Sequence, residues 1–227
     1  MRRQPSETTR ARCALAALAL LATPTARPGE TFAVEAWGGV PWNPPIALGV
    51  DQSGAPPLRF TARYETRPLQ LPFYYRLRAI LGAGERGEWA LELVHHKLYL
   101  VNAPREIGSF SVSHGYNLVL ASRGWDLGPL WIRAGSGPVV AHPESTVRGR
   151  TLDKHGGILG SGQYLAGAAV AVMIERRVTV AGPFYFALGG MVTAAYARVP
   201  VRDGHADVPN VALHALAGAG FQGGQRP

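Results

Sequence analysis

From residue 31 onward the chain alternates apolar with small or polar residues, in segments 9 to 17 residues long that are broken by turn-forming residues. Period-two alternation marks a β-strand whose two faces meet different surroundings. It predicts strands over 31–39, 72–81, 88–101, 109–122, 127–141, 162–176, 183–199 and 208–221. A strand in a soluble protein is usually about five or six residues long, whereas a tilted strand crossing a bilayer needs about 9–11. The connections carry a second signal. Residues 82–87, 123–126 and 177–182 make short links, and 40–71, 102–108, 142–161 and 200–207 make longer ones. Short turns alternating with long loops are the layout of an outer-membrane barrel, with the short turns in the periplasm. Residues 58–66 (LRFTARYET) alternate as well. An even strand number keeps both termini on one side, so this segment is expected in the first external loop, as a strand extension above the membrane. The expected fold is all-β: an eight-stranded antiparallel transmembrane β-barrel of the bacterial outer membrane.

The two faces of the strands fit that expectation. Trp89, Leu91 and Leu93 share one face of their strand and Glu88, Ala90 and Glu92 the other. In the last strand Val211, Leu213, Ala215, Ala217, Ala219 and Phe221 lie opposite Asn210, His214 and Gly218. Lipid demands apolar residues outside, because the backbone bonds close around the barrel and only outward side chains meet hydrocarbon. A soluble barrel reverses this and fills its interior with apolar residues. Glu92, Arg133, Glu175 and His214 would be costly in a dry core and belong in a polar lumen.

Composition adds a location. Arg2, Arg3, Arg10 and Arg12 precede the apolar run 14–22, which ends near Ala26. Residues 1–26 therefore read as a secretory signal peptide and 27–227 as the barrel, with 142–161 its long external loop. Nine apolar residues are too few for a helix that spans a membrane. The one cysteine, Cys13, leaves with the signal, so disulfide frameworks and multi-cysteine metal sites are excluded. The formal charge falls from +8 to +5 on removing that segment. For an exported chain the acidic partner is phosphorylated lipid rather than nucleic acid. Phe221 stands near the C-terminus as the aromatic residue that the outer-membrane insertion machinery would meet, although QGGQRP follows it. The barrel is expected as a monomer.

Four segments, PFYYRLR (72–78), WALELVHHKLYL (89–100), SFSVSHGYNLVLA (109–121) and GSGPVVAHPESTV (135–147), resemble the outer-membrane lipid A oxidase family. The shared features are an aromatic pair before the second strand, an acid–x–x–His–x–Lys–x–Tyr run, a Gly–x–Asn strand, and a Gly-rich strand ending in a Pro/His segment. The resemblance implies oxidation of the proximal glucosamine of lipid A to 2-aminogluconate, with lipid A or lipopolysaccharide as partner. A non-catalytic barrel with a structural, lipopolysaccharide-binding or small-apolar-solute role is the competing reading.

The strands themselves supply candidate chemistry. Pairing 88–101 with 109–122 through the 102–108 link sets His95 opposite His114 and Lys97 opposite Val112. Parity then turns His95, Lys97, Tyr99 and His114 toward lipid near the external end, and Glu92, His96, Ser113 and Asn117 into the lumen. Glu92, His95, His114 and Asn117 are the catalytic candidates, and Lys97 and Tyr99 the substrate-binding ones. Lys97 with the two histidines can meet lipid A phosphates, or can simply snorkel within an interfacial girdle. Ser113 and His114 cannot form a nucleophile–base pair if adjacent strand residues project to opposite faces. His142 and Glu144, with His155 and either His95 or His96, offer nitrogen and oxygen ligands for a divalent metal. Solvated loop residues are the plainer reading of the same side chains.

Overall fold

The computed structural model describes residues 32–84, 87–153 and 155–223. The expected signal segment, the 85–86 link and Lys154 lie outside the described residues. In chain order the strands are β1 (Phe32–Trp42), β2 (Ile46–Gln52), β3 (Leu58–Ala62), β4 (Tyr64–Glu65), β5 (Tyr75–Gly84), β6 (Gly87–Leu100), β7 (Ile107–Asp126), β8 (Trp131–Ala141), β9 (Glu144–Val147), β10 (Arg150–Thr151), β11 (Tyr164–Ala181), β12 (Phe184–Val201) and β13 (Gly204–Gly223).

The eight long strands form a ring. β1 pairs with β5, β5 with β6, β6 with β7, β7 with β8, β8 with β11, β11 with β12, β12 with β13, and β13 returns to β1. Every pair is antiparallel, so the wall satisfies its own backbone as hydrocarbon requires. The β1–β5 contact is short, joining 33–37 to 76–80. Above it residues 66–74 lie against the wall, where the Thr66 hydroxyl donates to the Pro41 carbonyl at 3.2 Å.

Residues 58–66 add no ninth wall strand. β3 pairs with β2, β2 extends the sheet from the far end of β13, and β4 pairs with the end of β6. The expected long link at 200–207 is corrected. β12 and β13 run on as a ladder to Val201 opposite Gly204, leaving only Arg202 and Asp203 between them. Asp203 takes φ 61°, a conformation that Asp tolerates in tight turns.

The outward belt is apolar. Val34, Val40, Trp89, Leu91, Val119, Val170, Val172, Ile174, Leu188, Val192 and Leu213 are exposed on the wall. Aromatic residues mark its two edges, with Trp89, Trp125, Phe184 and Phe186 near the short links and Trp42 and Tyr196 near the other end. This is the girdled surface of a bilayer-spanning barrel.

The interior changes character along the strands. Toward the short links four carboxylates (Glu35, Glu88, Glu92, Glu175) meet four guanidiniums (Arg76, Arg78, Arg133, Arg177). Arg78 contacts Glu35 at 2.7 Å, Glu175 at 2.8 Å and Glu92 at 3.3 Å. The void beside Arg76, Glu92, Ser122 and Arg133 is about 10 Å³, room for one water at most. Midway, His214 is held between the Tyr74 hydroxyl at 2.9 Å and Thr193 at 3.0 Å, and His96 meets Asn43 at 3.0 Å. Beyond them the interior is apolar, with Leu48, Val50, Leu98, Val112, Tyr116, Val139, Val147, Val199 and Val208 fully buried. Here the outward face becomes polar, for example in the Arg59–Asp51 and Arg198–Asp207 pairs. The apolar-outside rule therefore holds for the membrane part and reverses above it, where water replaces lipid and the barrel packs like a soluble one.

Candidate functional site on the outward wall

One bulged stretch shapes the outward surface of β6 and β7. The register runs Glu88 with Gly124 up to His96 with Tyr116, then resumes at Leu98 with Val112. Between these points β6 has one residue, Lys97, and β7 has three, Ser113 to Gly115. Gly115 takes φ +127°, and a Cβ on it would run into the side-chain amide of Asn117. Glycine is required there, because L residues rarely adopt that conformation.

The bulge corrects the pairing expected from the sequence. His95 lies opposite Asn117, not His114, and Leu98 takes the place expected for Lys97 opposite Val112. Asn117 therefore faces outward beside His95, and its side-chain oxygen lies 2.8 Å from His95 Nδ1. Tyr75 stacks on the other side of the His95 ring, 4.9 Å between centroids and 9° from parallel. Lys97 is buried, not snorkelling, and its ammonium donates to the Gln70 carbonyl at 2.7 Å. It ties residues 66–74 to the wall. Tyr99 is half-buried, with the Arg67 guanidinium 4.3 Å above its ring. Glu92 and His96 face inward as expected, so Glu92 stands in the interior ion network, apart from the outward residues.

His114 is turned outward by the bulge. Its ring lies 5.0 Å from that of His142, and its Nδ1 is 3.9 Å from a Glu144 carboxylate oxygen. The His142 backbone N–H donates to the Gly115 carbonyl at 3.0 Å, which pins the end of β8 against the bulge. His155 is not part of this group; it bonds Asp153 within the long loop at 3.0 Å. Those bonds from the His155 backbone and ring hold the Asp153 carboxyl below the usual carboxylate range.

The expectation that Ser113 and His114 cannot touch is overturned. Ser113 Oγ lies 3.2 Å from His114 Nδ1 and donates to Glu144 at 2.9 Å. The alternation of faces fails where the backbone bulges. The arrangement is still not a hydrolase relay. In such a relay the hydroxyl and the carboxylate meet opposite ring nitrogens, and here both lie beside Nδ1.

These residues surround an open depression of about 600 Å³ on the outside of the wall. Leu93, Val119 and Val140 line its apolar side; His95, Asn117, His114 and His142 line its polar side. Pro72 and, from the long loop, Ser161 and Gln163 border it. Tyr75, Ser161 and Gln163 were not among the sequence candidates. The Tyr74–Tyr75 pair was visible as a motif, but nothing in it told which tyrosine faces out.

A closed ring of eight antiparallel strands, a girdled apolar belt and an ion-paired interior define a small outer-membrane β-barrel. No protein-family model and no curated protein matches the chain. Among solved structures it is similar to Neisserial surface protein A (11% identity, 85% of this chain and 96% of that one, TM-score 0.40). It is also similar to outer membrane protein AlkL (10% identity, 100% and 99%, TM-score 0.47) and to Ail, the attachment invasion locus protein of Yersinia pestis (9%, 87% and 100%, TM-score 0.32). The barrel itself is assigned from its own strand pairings and belt, and none of these likenesses gives it a ligand.

Proposed function

We propose that this barrel engages lipid A from the side, through the outward depression between β5 and β9. The observation that carries the reading is the depression's two-sided lining. Apolar Leu93, Val119 and Val140 continue the lipid belt, and His95, Asn117, His114 and His142 form a polar edge where headgroups lie. A membrane amphiphile matches both parts at once, its acyl chains along the belt and its sugar and phosphates against the hydrogen-bonding groups. The filled interior favours a ligand that approaches through the bilayer plane over one that passes through the lumen. Arg67, on the same wall over Tyr99, supplies a planar fork suited to phosphate.

Titration of lipid A into the detergent-solubilised protein tests this. The His95→Leu/Asn117→Leu variant is expected to bind at least about 10-fold more weakly, roughly 1.4 kcal/mol. Leu188→Ala, on the exposed belt of β12, is expected to bind as the wild type does. Equal affinities for the wild type and the His95/Asn117 variant would refute lateral binding at this place. Oxidation of the proximal glucosamine by dioxygen, the activity that the resemblance implies, is a further step with its own readout. It adds one oxygen to the mass of lipid A in cells carrying the gene, and His95→Ala abolishes the gain.

A further inference from the structure

We infer that His114, His142 and Glu144 form a binding site for a divalent transition-metal ion at the polar edge of the depression. Each offers one ligand atom, and all three atoms lie within 4.8 Å of one another. Two imidazoles and one carboxylate are a donor set for zinc, manganese, cobalt or nickel, whereas magnesium and calcium favour oxygen alone. Metal–ligand bonds of about 2.0–2.2 Å require the donor atoms to draw together by roughly 1 Å. The His114 side chain, 58% exposed, has freedom to make that movement.

The site is built into the backbone. The Gly115 bulge aims His114 outward, the His142 N–H bond to the Gly115 carbonyl fixes the second ligand's strand, and the Ser113 hydroxyl holds a Glu144 oxygen at 2.9 Å. Such supporting bonds orient a ligating carboxylate. Three protein ligands leave coordination positions open toward the depression, where water or a phosphate oxygen can complete the shell.

A second group, Asp51, His205 and Asp207, has comparable spacing. Its carboxylates are already engaged. Asp51 takes both oxygens to Arg59 at 2.9 and 2.7 Å, and Asp207 bonds Arg198 and the Tyr196 hydroxyl. Guanidinium charge there occupies the place that a metal cation would take.

The inference deepens the lipid reading of the same depression, and the test uses metal alone so that the two can fail separately. Untagged, chelator-stripped protein in detergent is equilibrated with Zn²⁺ or Co²⁺ and the bound metal is counted by elemental analysis. One ion per chain is expected, with a visible Co²⁺ absorption. Glu144→Gln and His142→Ala are expected to weaken binding by at least about 30-fold and to remove that absorption, and Asp51→Asn to change neither. Heat-modifiable migration on a gel confirms that each variant is folded. Failure to bind a stoichiometric ion overturns the site, as does wild-type affinity in both Glu144→Gln and His142→Ala, or loss confined to Asp51→Asn. Lipid A affinity of the wild type, measured without metal, tests the lipid reading separately from any of these results.

Discussion

Arg78→Met is expected to destabilise the barrel by about 3–5 kcal/mol, the usual consequence of removing one partner from a buried ion pair. Arg78 sits at the centre of the interior network and contacts three carboxylates, Glu35, Glu92 and Glu175. Its side chain and those of Glu35 and Glu175 have no solvent exposure. Among the described residues four carboxylates balance four guanidiniums there, so deleting one cation leaves a buried negative charge that water cannot reach. Methionine preserves much of the side-chain volume, which separates loss of charge from loss of packing. Urea unfolding in detergent micelles, followed by the gel shift between folded and unfolded forms, measures the effect. The Arg78→Met/Glu175→Gln double variant should recover part of the loss, because it restores the charge balance. A single variant within about 1 kcal/mol of wild type would contradict a network that holds the barrel by mutual pairing.

The second large effect is expected at Gly115. Gly115→Val places a β-branched residue at φ +127° and drives its Cβ into the Asn117 amide. Strain of this kind costs on the order of 1–3 kcal/mol where the backbone is held, and the neighbouring turn of chain is the part that can give way. The variant should therefore fold, with a lowered unfolding midpoint, while His95 and Asn117 separate and His114 leaves His142. Lipid A affinity should fall by at least about 10-fold. Gly128→Ala, at a positive-φ position in a short link away from the depression, should alter stability without altering lipid A affinity. Wild-type affinity in Gly115→Val would show that the bulge does not organise the site.

The parts of this molecule that were legible in its sequence are those that repeat. Trp89, Leu91 and Leu93 alternate with Glu88, Ala90 and Glu92 over enough residues to fix both strand and face, and the structure keeps that assignment. Glu92, Arg133, Glu175 and His214 could be placed inside because no other location tolerates them in lipid. Asn117 and Ser113 were misplaced for one shared reason, whereas Lys97 is buried by the cover of residues 66–74, to which its ammonium donates. A bulge resets the phase of the alternation, and phase is all that a period-two pattern conveys. Gly115 was the available sign, since an isolated glycine in a strand pattern suggests a bulge, but its effect on register has to be seen in the partner strand. β2 was missed because Ile46–Gln52 is short and lies between prolines and glycines. Its Leu48 and Val50 are fully buried only because the barrel continues above the membrane, where the rule for inside and outside is reversed.

Native mass spectrometry of the barrel extracted gently from outer membranes tests the central claim most directly. Lateral binding predicts that the wild type carries about one lipid A per chain and that His95→Leu/Asn117→Leu emerges without it. A bare wild-type barrel, or equal lipid A on both proteins, would contradict it.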